Sequence, residues 1–291
     1  VAVVFALTFS AAYYGMAAVQ YSPVYMVDYA TSLDEYSNAV TVDSNENAFV
    51  TGFGFLGPAA ASQVWTVKYG PTGIQGPVAQ YGSSVIGFGV SGSAVVTDAA
   101  GNVYVAGQFR NDSFFTIKYD NNLGPSYDGL WGGPKTYGCF GRVMSAEDLV
   151  LNNAGTVLYV AGYAQLCSKP AGSDIDMLVL NYDAATGVLI DPAETLVYHN
   201  DRDFAWGMAI DPSGNIFLAG ETGDGVDVDW VIAKIDSAGV PSTVQIVDSG
   251  FGWDSAQAIE YDANSGYLFA AGEISNSLGG NDTYRLADFN K

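Results

Sequence analysis

Five short phrases along the chain share one arrangement of apolar and polar positions. In each phrase an apolar run ends in Asp, Asn or Tyr-Asp, a turn rich in Gly, Asn and Ser follows, and a second apolar run ends in Gly. Short β-branched runs around such a turn are typical of β-hairpins. The closing residues are Gly52, Gly107, Gly162, Gly220 and Gly272, which gives successive spacings of 55, 55, 58 and 52 residues.

Two further apolar runs accompany each hairpin. A third run, such as "FTIKYD" at 115–120, follows the hairpin, and a fourth, such as "KTYG" at 135–138, precedes the next repeat. Four short antiparallel strands in a unit of about 50 residues predict one blade of a β-propeller. The five predicted blades cover about 37–82, 92–138, 147–199, 206–248 and 256–291.

The two ends of the repeat region predict how the ring closes. The fifth unit ends at Lys291 without a fourth strand, whereas "VYMVDYA" at 24–30 has the pattern of a strand without a blade of its own. We therefore predict that residues 24–30 close the last blade, because closure removes an unpaired sheet edge. The propeller domain would then span 23–291.

Two blades carry a recognisable pair of motifs. "DAAGNVYVAG" at 98–107 is followed by "FFTIKYD" at 114–120, and "DPSGNIFLAG" at 211–220 is followed by "DWVIAKID" at 229–236. These phrases resemble the SBBP-type repeats of bacterial and archaeal β-propellers. The resemblance implies a fold and leaves the chemistry open.

The first 22 residues differ from the repeats because Val1 to Val19 carry no charge. A helix of that length would be about 30 Å long, and small residues four apart favour close helix contacts. We predict one long hydrophobic α-helix over 1–22, which could be a membrane anchor, an unremoved secretion signal or an assembly helix. Its predicted contact residues are Val1, Val4, Phe5, Leu7, Phe9, Ala11, Ala12, Gly15, Met16 and Val19.

The start of the chain favours the assembly helix. A sequence that begins "VAVVF" resembles the product of class III signal peptide cleavage, as in subunits of type IV-pilin-like filaments, and Phe5 in place of Glu is typical of archaeal versions. The resemblance implies an extracellular, cell-surface filament with helices in its core and propellers outside, for adhesion. Its partners would be other copies of this chain in a homopolymer and a host or neighbouring cell surface, with the membrane involved only before assembly.

Charge and residue counts exclude several classes of function. The chain has 31 acidic and 10 basic residues and a net charge of −21, which argues against a nucleic-acid partner. Its one histidine, His199, rules out zinc sites that need several histidines, and no nucleophile elbow or phosphate loop occurs. We therefore predict no enzyme and no cofactor. The alternative is a monomeric, membrane-anchored propeller that acts as a carbohydrate-binding module or hydrolase.

Two acidic pairs precede predicted third strands: Asp174 with Asp176, and Asp227 with Asp229. Several carboxylates on one loop suit Ca²⁺, whereas an Asp that recurs at one blade position can also cap backbone N–H groups of a turn. We favour the turn cap and predict no metal site, with calcium as the alternative.

Two features depend on export from the cell. Cys139 and Cys167 can form one disulfide or remain separate buried thiols. The triplets that begin at Asn111 and Asn281 match N-glycosylation signals in predicted surface loops, so the protein would be a glycoprotein.

Overall fold

The chain forms five small antiparallel β-sheets. The structure, a computed structural model, describes residues 34–55, 62–82, 89–125, 129–166, 174–190, 195–196, 202–223, 227–250, 252–275 and 283–290. Four sheets have four strands and one has three, and in every sheet the neighbouring strands are consecutive in the chain. Each sheet corresponds to one predicted blade, so we name the sheets blade one to blade five in chain order.

The strand bounds follow the repeat. Blade one contains β1 (Glu35–Val42), β2 (Ala48–Phe55), β3 (Ser62–Tyr69) and β4 (Gln75–Tyr81); blade two β5 (Val90–Thr97), β6 (Val103–Phe109), β7 (Ser113–Tyr119) and β8 (Lys135–Gly138); blade three β9 (Met144–Leu151), β10 (Val157–Ala164), β11 (Asp176–Asp183) and β12 (Thr195–Leu196). Blade four contains β13 (Asp203–Ile210), β14 (Ile216–Gly223), β15 (Val228–Ile235) and β16 (Pro241–Val247); blade five β17 (Ser255–Tyr261), β18 (Tyr267–Ile274) and β19 (Thr283–Asn290).

The predicted fold class is wrong where it adds a long α-helix to the sheets. Every regular element in the described residues is a β-strand, with no helix among them. Within that part of the chain no helix could span a membrane. The uncharged run at the start of the chain has no alternation of polar and apolar residues that would distinguish a helix from a strand. The spacing of its small residues was the only pattern that favoured a helix. The predicted helix at 1–22 and closing strand at 24–30 lie outside the described residues.

A β-bulge in the first strand of each blade faces the closing glycine of the second strand. The bulge residues are Asn38, Ser93, Glu147, Trp206 and Gln257. A Cβ atom on Gly162 would lie 2.0 Å from the carbonyl oxygen of Ser145, and the other four closing glycines show the same clash at 1.8–2.0 Å. Only glycine fits at this position, because any side chain would meet backbone that cannot move independently.

The Asp and Asn of the repeated phrase form the turn between the first two strands. In blade two, Oδ1 of Asp98 accepts hydrogen bonds from the backbone N–H groups of Ala100 (2.9 Å) and Asn102 (2.8 Å), and Oδ2 accepts one from Asn102 Nδ2 (2.7 Å). Asp43 and Asp211 bind their own turns in the same way. Burial opposes ionisation of Asp98, but these hydrogen bonds outweigh it and lower its pKa.

The lysine of the third strand joins one blade to the next. Lys118 Nζ lies 4.9 Å from the centre of the Tyr104 ring and donates a hydrogen bond of 2.9 Å to the carbonyl oxygen of Ala184 in blade three. Lys68 of blade one likewise reaches the carbonyl oxygen of Asn121 in blade two at 2.9 Å. The motif that identifies the repeat therefore also fixes the contact between repeats.

Apolar clusters fill the spaces between consecutive blades, and the inner strands β1, β5, β9, β13 and β17 touch in chain order. Among the described strands, β17 and β1 make no contact of comparable extent. The faces of the end blades that point away from their neighbours therefore keep exposed apolar residues, with Val40 60 % and Tyr267 38 % exposed.

We expect Gly162→Ala to lower the free energy of unfolding by more than about 3 kcal/mol, because the new methyl group would overlap the Ser145 carbonyl oxygen. Gly76→Ala in β4 is the control, since its Cβ would have ordinary contacts, the nearest at 3.4 Å. Urea unfolding of both variants measures the difference. Equal losses in the two variants would contradict the proposed role of the closing glycines.

Candidate functional site

A cleft opens where the upper edges of blades four and five meet. We define the upper edge as the end of each blade opposite the Asp turns. The cleft is shallow, with a volume of about 10 Å³, room for about one water molecule, and it is lined by Arg202, Phe204, Glu221, Gly223, Val228 and Trp253. These residues come from the first three strands of blade four, from the position just before them (Arg202) and from the loop that leads into blade five.

Backbone pairing between the two blades holds the cleft together. Val228 and Trp253 form a parallel β-bridge, in which Val228 N–H donates to the Gly252 carbonyl oxygen (2.9 Å) and Asp254 N–H donates to the Val228 carbonyl oxygen (2.7 Å). The buried carboxylate of Asp254 in turn accepts the backbone N–H groups of Ser249 and Ser275, both at 2.8 Å. The loop that carries Trp253 is therefore fixed at both ends.

Two aromatic rings and two charged groups form the walls of the cleft. Trp253 is 50 % exposed, and its indole N–H donates a hydrogen bond of 2.9 Å to Oε2 of the buried Glu221. The guanidinium carbon of the exposed Arg202 lies 5.5 Å from the centre of the Phe204 ring. The cleft thus combines an oriented indole face with an acceptor and a donor.

An aromatic cluster extends this surface toward blade three. Phe204 and Trp206 are stacked, with ring centres 5.6 Å apart and planes 5° apart. Tyr163 of blade three meets Phe204 edge-on at 4.8 Å and Trp206 at 5.6 Å. Because Phe204 belongs to both groups, one continuous aromatic surface runs from blade three to the cleft.

Carboxylates lie near the inner strands. Asp148 Oδ2 accepts the backbone N–H of Met208 in blade four at 2.7 Å, which links two inner strands. Burial, together with the negative charges of Glu260 and Glu147, raises the pKa of Asp148 to about 6. Burial also raises the pKa of Glu147, the bulge residue of blade three.

A second acidic group lies at the outer part of the upper edge of blade four. One carboxylate oxygen from each of Asp227, Asp229 and Asp248 lies within 4.8 Å of the others. Burial, and then the charges of Asp248, Asp227 and Asp254, raise the pKa of Asp229 to about 6.

The predicted site residues meet different outcomes. The structure brings together Asp227 and Asp229 of the predicted acidic pairs, and it adds Asp248, which the sequence analysis missed. Asp174 is exposed and Asp176 is fully buried, and neither belongs to a three-membered acidic cluster within the described residues.

The remaining predicted site residues lie partly outside the described residues. Cys139 is disulfide-bonded, and Cys167, the other cysteine of the chain, lies outside them. Asn111 is exposed in the turn after β6, whereas Asn281 lies outside the described residues. The ten contact residues of the predicted assembly helix, Val1 to Val19, lie outside them as well, so those expectations stay predictions.

Sequence reasoning missed every residue of the cleft. The sequence did contain one indication of this surface, because some residues break the repeated pattern. Trp206 occupies the bulge position of blade four, where the other blades have Asn, Ser, Glu or Gln. Trp253 likewise stands in a connection between blades. In a repeat protein, positions that differ between repeats are not needed for the common fold, so their residues can serve a function at one place in the molecule.

No protein-family model and no curated protein matches the chain. Among solved structures, the β-propeller domain of the Trilobed protease from Pyrococcus furiosus is 8 % identical (TM-score 0.46) over 87 % of this chain and 68 % of that one. A GH43 β-1,3-galactosidase is 10 % identical (0.46; 86 % and 89 %), and an α-L-arabinofuranosidase from Fusarium graminearum is 11 % identical (0.49; 84 % and 72 %).

The chain is a β-propeller. Its own strand order, with consecutive inner strands in contact around five blades, carries that conclusion. The similarities to solved structures, at 8–11 % identity and TM-scores of 0.46–0.49, add nothing to that conclusion. The chemistry of the propeller therefore has to be inferred from its own upper edge.

Lowering the pH from 7 to 5 should raise the free energy of unfolding of the propeller, with about 1 kcal/mol of the rise contributed by Asp148. The reason is that Asp148, with a folded-state pKa of about 6 against an ordinary 3.8, takes up its proton first in the folded state. Below about pH 4 stability should fall, because the pKa values of Asp43 and Asp98 are lowered by folding.

Urea unfolding at pH 7, 5 and 3 tests this profile. Asp148→Asn should show a smaller rise between pH 7 and 5, and Asp229 and Glu147, whose pKa values are raised as well, account for the remainder. An unchanged rise in Asp148→Asn would show that other groups control stability in this range.

Proposed function

We propose that the protein is a carbohydrate-binding β-propeller whose ligand occupies the cleft between blades four and five. The observation that carries the proposal is the half-exposed indole of Trp253, held by its hydrogen bond to Glu221 beside Phe204 and Arg202. A fixed aromatic ring presents a face on which the C–H groups of a sugar ring can pack. Convergent charged groups suit the hydroxyl groups around such a ring.

The shape of the surface also fits a chain-like ligand. The cleft itself is shallow, at about 10 Å³, but the rings of Phe204, Trp206 and Tyr163 continue from it toward blade three. A single sugar ring would therefore lie over the cleft, against the exposed part of Trp253, and an oligosaccharide would continue along the aromatic surface. Ring-shaped ligands bound by several stacked contacts need little reorganisation of a surface that is already fixed.

Binding fits the cleft better than hydrolysis. Glycoside hydrolysis generally needs two carboxyl groups about 5–10 Å apart across the cleaved bond. Among the described residues that line the cleft, Glu221 is the only carboxylate, and one of its oxygens already accepts the Trp253 indole N–H. The proposal therefore concerns a binding protein.

The predicted filament rests on residues 1–22, and the described residues give that role no support. Self-assembly into a homopolymer, adhesion to a cell surface and an extracellular location stay predictions.

The proposal is tested by calorimetric titration of the full chain with a panel of soluble polysaccharides and their oligosaccharides. Trp253→Ala should weaken binding at least about tenfold, since it removes the central ring of the cleft. Trp253→Phe keeps a ring and loses only the N–H, so its loss should be smaller. Phe140→Ala is the matched control, because Phe140 is 88 % exposed on a loop away from the cleft.

Two results would refute carbohydrate binding at this site. One is that no member of the panel binds. The other is that Trp253→Ala and Phe140→Ala bind equally well while thermal unfolding shows both variants to be folded. Release of new reducing ends during incubation would instead show hydrolysis and overturn the conclusion that this is a binding protein.

A further inference from the structure

One row of polar residues crosses the upper edge of blade four. Asp203 of β13 lies opposite Thr222 of β14, and Thr222 lies opposite Asp229 of β15. Trp230 pairs with Val247 in the antiparallel strands β15 and β16. One residue back along β15 and one residue on from β16, Asp229 and Asp248 therefore lie side by side. Directly opposite residues in antiparallel strands share one face of the sheet, with Cβ atoms about 5 Å apart. All four side chains therefore stand on the same face, one from each strand or its end.

Three carboxylates lie close together in this region. The oxygens of Asp227, Asp229 and Asp248 lie within 4.8 Å of one another. The charges that act on Asp229 come from Asp248, Asp227 and Asp254 and are all negative. Carboxylates at these distances repel each other, and this repulsion is strongest for a group partly withdrawn from water.

The independent observation is a buried hydroxyl beside this acidic cluster. Thr222 is only 3 % exposed, and its Oγ1 atom is buried without a hydrogen-bond partner. Oδ1 of Asp229, the residue directly opposite, is also buried and unpartnered. Buried polar atoms of a folded protein normally have a partner, because burial without one costs free energy. A cation between this hydroxyl oxygen and this carboxylate oxygen would give both of them a partner.

We propose that Asp227, Asp229 and Asp248, with the hydroxyl of Thr222, bind one Ca²⁺ ion at the upper edge of blade four. The donor set is entirely oxygen, which favours Ca²⁺ or Mg²⁺ over softer metals. Ca²⁺ accepts six to eight oxygens in irregular geometry, whereas Mg²⁺ requires near-octahedral ligands. Donors drawn from β14, from β15 and the position before it, and from the position after β16 suit the larger, more tolerant ion.

This site is separate from the carbohydrate-binding cleft and does not depend on it. In β15 successive side chains point to opposite faces. Asp229 shares the face of Val231 and Ala233, which pack against blade three, while Val228 lines the cleft toward blade five. Ca²⁺ would tie the outer strands of blade four to β14. Because Val228 lies between Asp227 and Asp229, the ion would also stiffen one wall of the cleft.

The experiment is titration of the chelator-treated full chain with Tb³⁺, followed by luminescence excited through tryptophan, and competition by Ca²⁺ and Mg²⁺. One saturable site is expected, emptied by Ca²⁺ at lower concentration than by Mg²⁺. Asp229→Asn and Asp248→Asn should each weaken binding at least tenfold, and Thr222→Val, which keeps the shape and removes the hydroxyl, should weaken it severalfold. Asp174→Asn, an exposed carboxylate before the third strand of blade three, should leave the affinity unchanged.

Thermal unfolding of the same variants separates loss of the site from loss of the fold. Without metal, Asp229→Asn should be at least as stable as the parent chain, because it removes repulsion, and it should gain no stability on adding Ca²⁺. The proposal is overturned if Asp229→Asn binds Tb³⁺ with the affinity of the parent chain, or if Mg²⁺ competes as well as Ca²⁺. It is also overturned if Tb³⁺ binding never saturates, which is the behaviour of counterions around a protein of net charge −21. Polysaccharide titration of Asp229→Asn distinguishes failure of this site from failure of the cleft.

Discussion

The close approach between the bulged first strand and the closing glycine of the second strand is the constraint on which each blade depends. A bulge adds one residue to the inner strand, and a carbonyl oxygen of that strand then lies 1.8–2.0 Å from the place where a Cβ on the closing glycine would stand. Glycine is the one residue that permits this approach. The constraint recurs five times, and for that reason the glycine spacing is the clearest signal in the sequence.

The same bulges create the positions at which the blades differ. A bulge residue has no partner in the ladder, so its side chain is free of the pairing rules that fix its neighbours. Four blades have a polar residue there, and blade four has Trp206, stacked on Phe204. The repeated framework thus supplies geometry, and the departures from the repeat supply the candidate binding surface.

The two ends of the propeller serve different purposes. At the end with the Asp turns, side chains such as Asp98 and Lys118 form hydrogen bonds with backbone groups of their own blade or the next blade. These polar groups therefore stabilise the fold. At the upper edge, Arg202 is exposed, Trp253 is half exposed, and Asp229 has a buried oxygen without a hydrogen-bond partner. The proposed binding sites therefore lie where the repeat is least regular.

The sequence by itself determined the period, the order of strands within each blade and the turns, because these depend on local hydrogen bonds such as those of Asp98. It could not place the cleft: Arg202, Glu221 and Trp253 are distant in the chain and meet through strand register and a bridge between blades. It likewise missed Asp248, since a bulge between β15 and β16 sets which residue faces Asp229, and a shift by one residue reverses the face. Only the tertiary structure decided these contacts, because long-range register leaves no periodic trace in a single sequence.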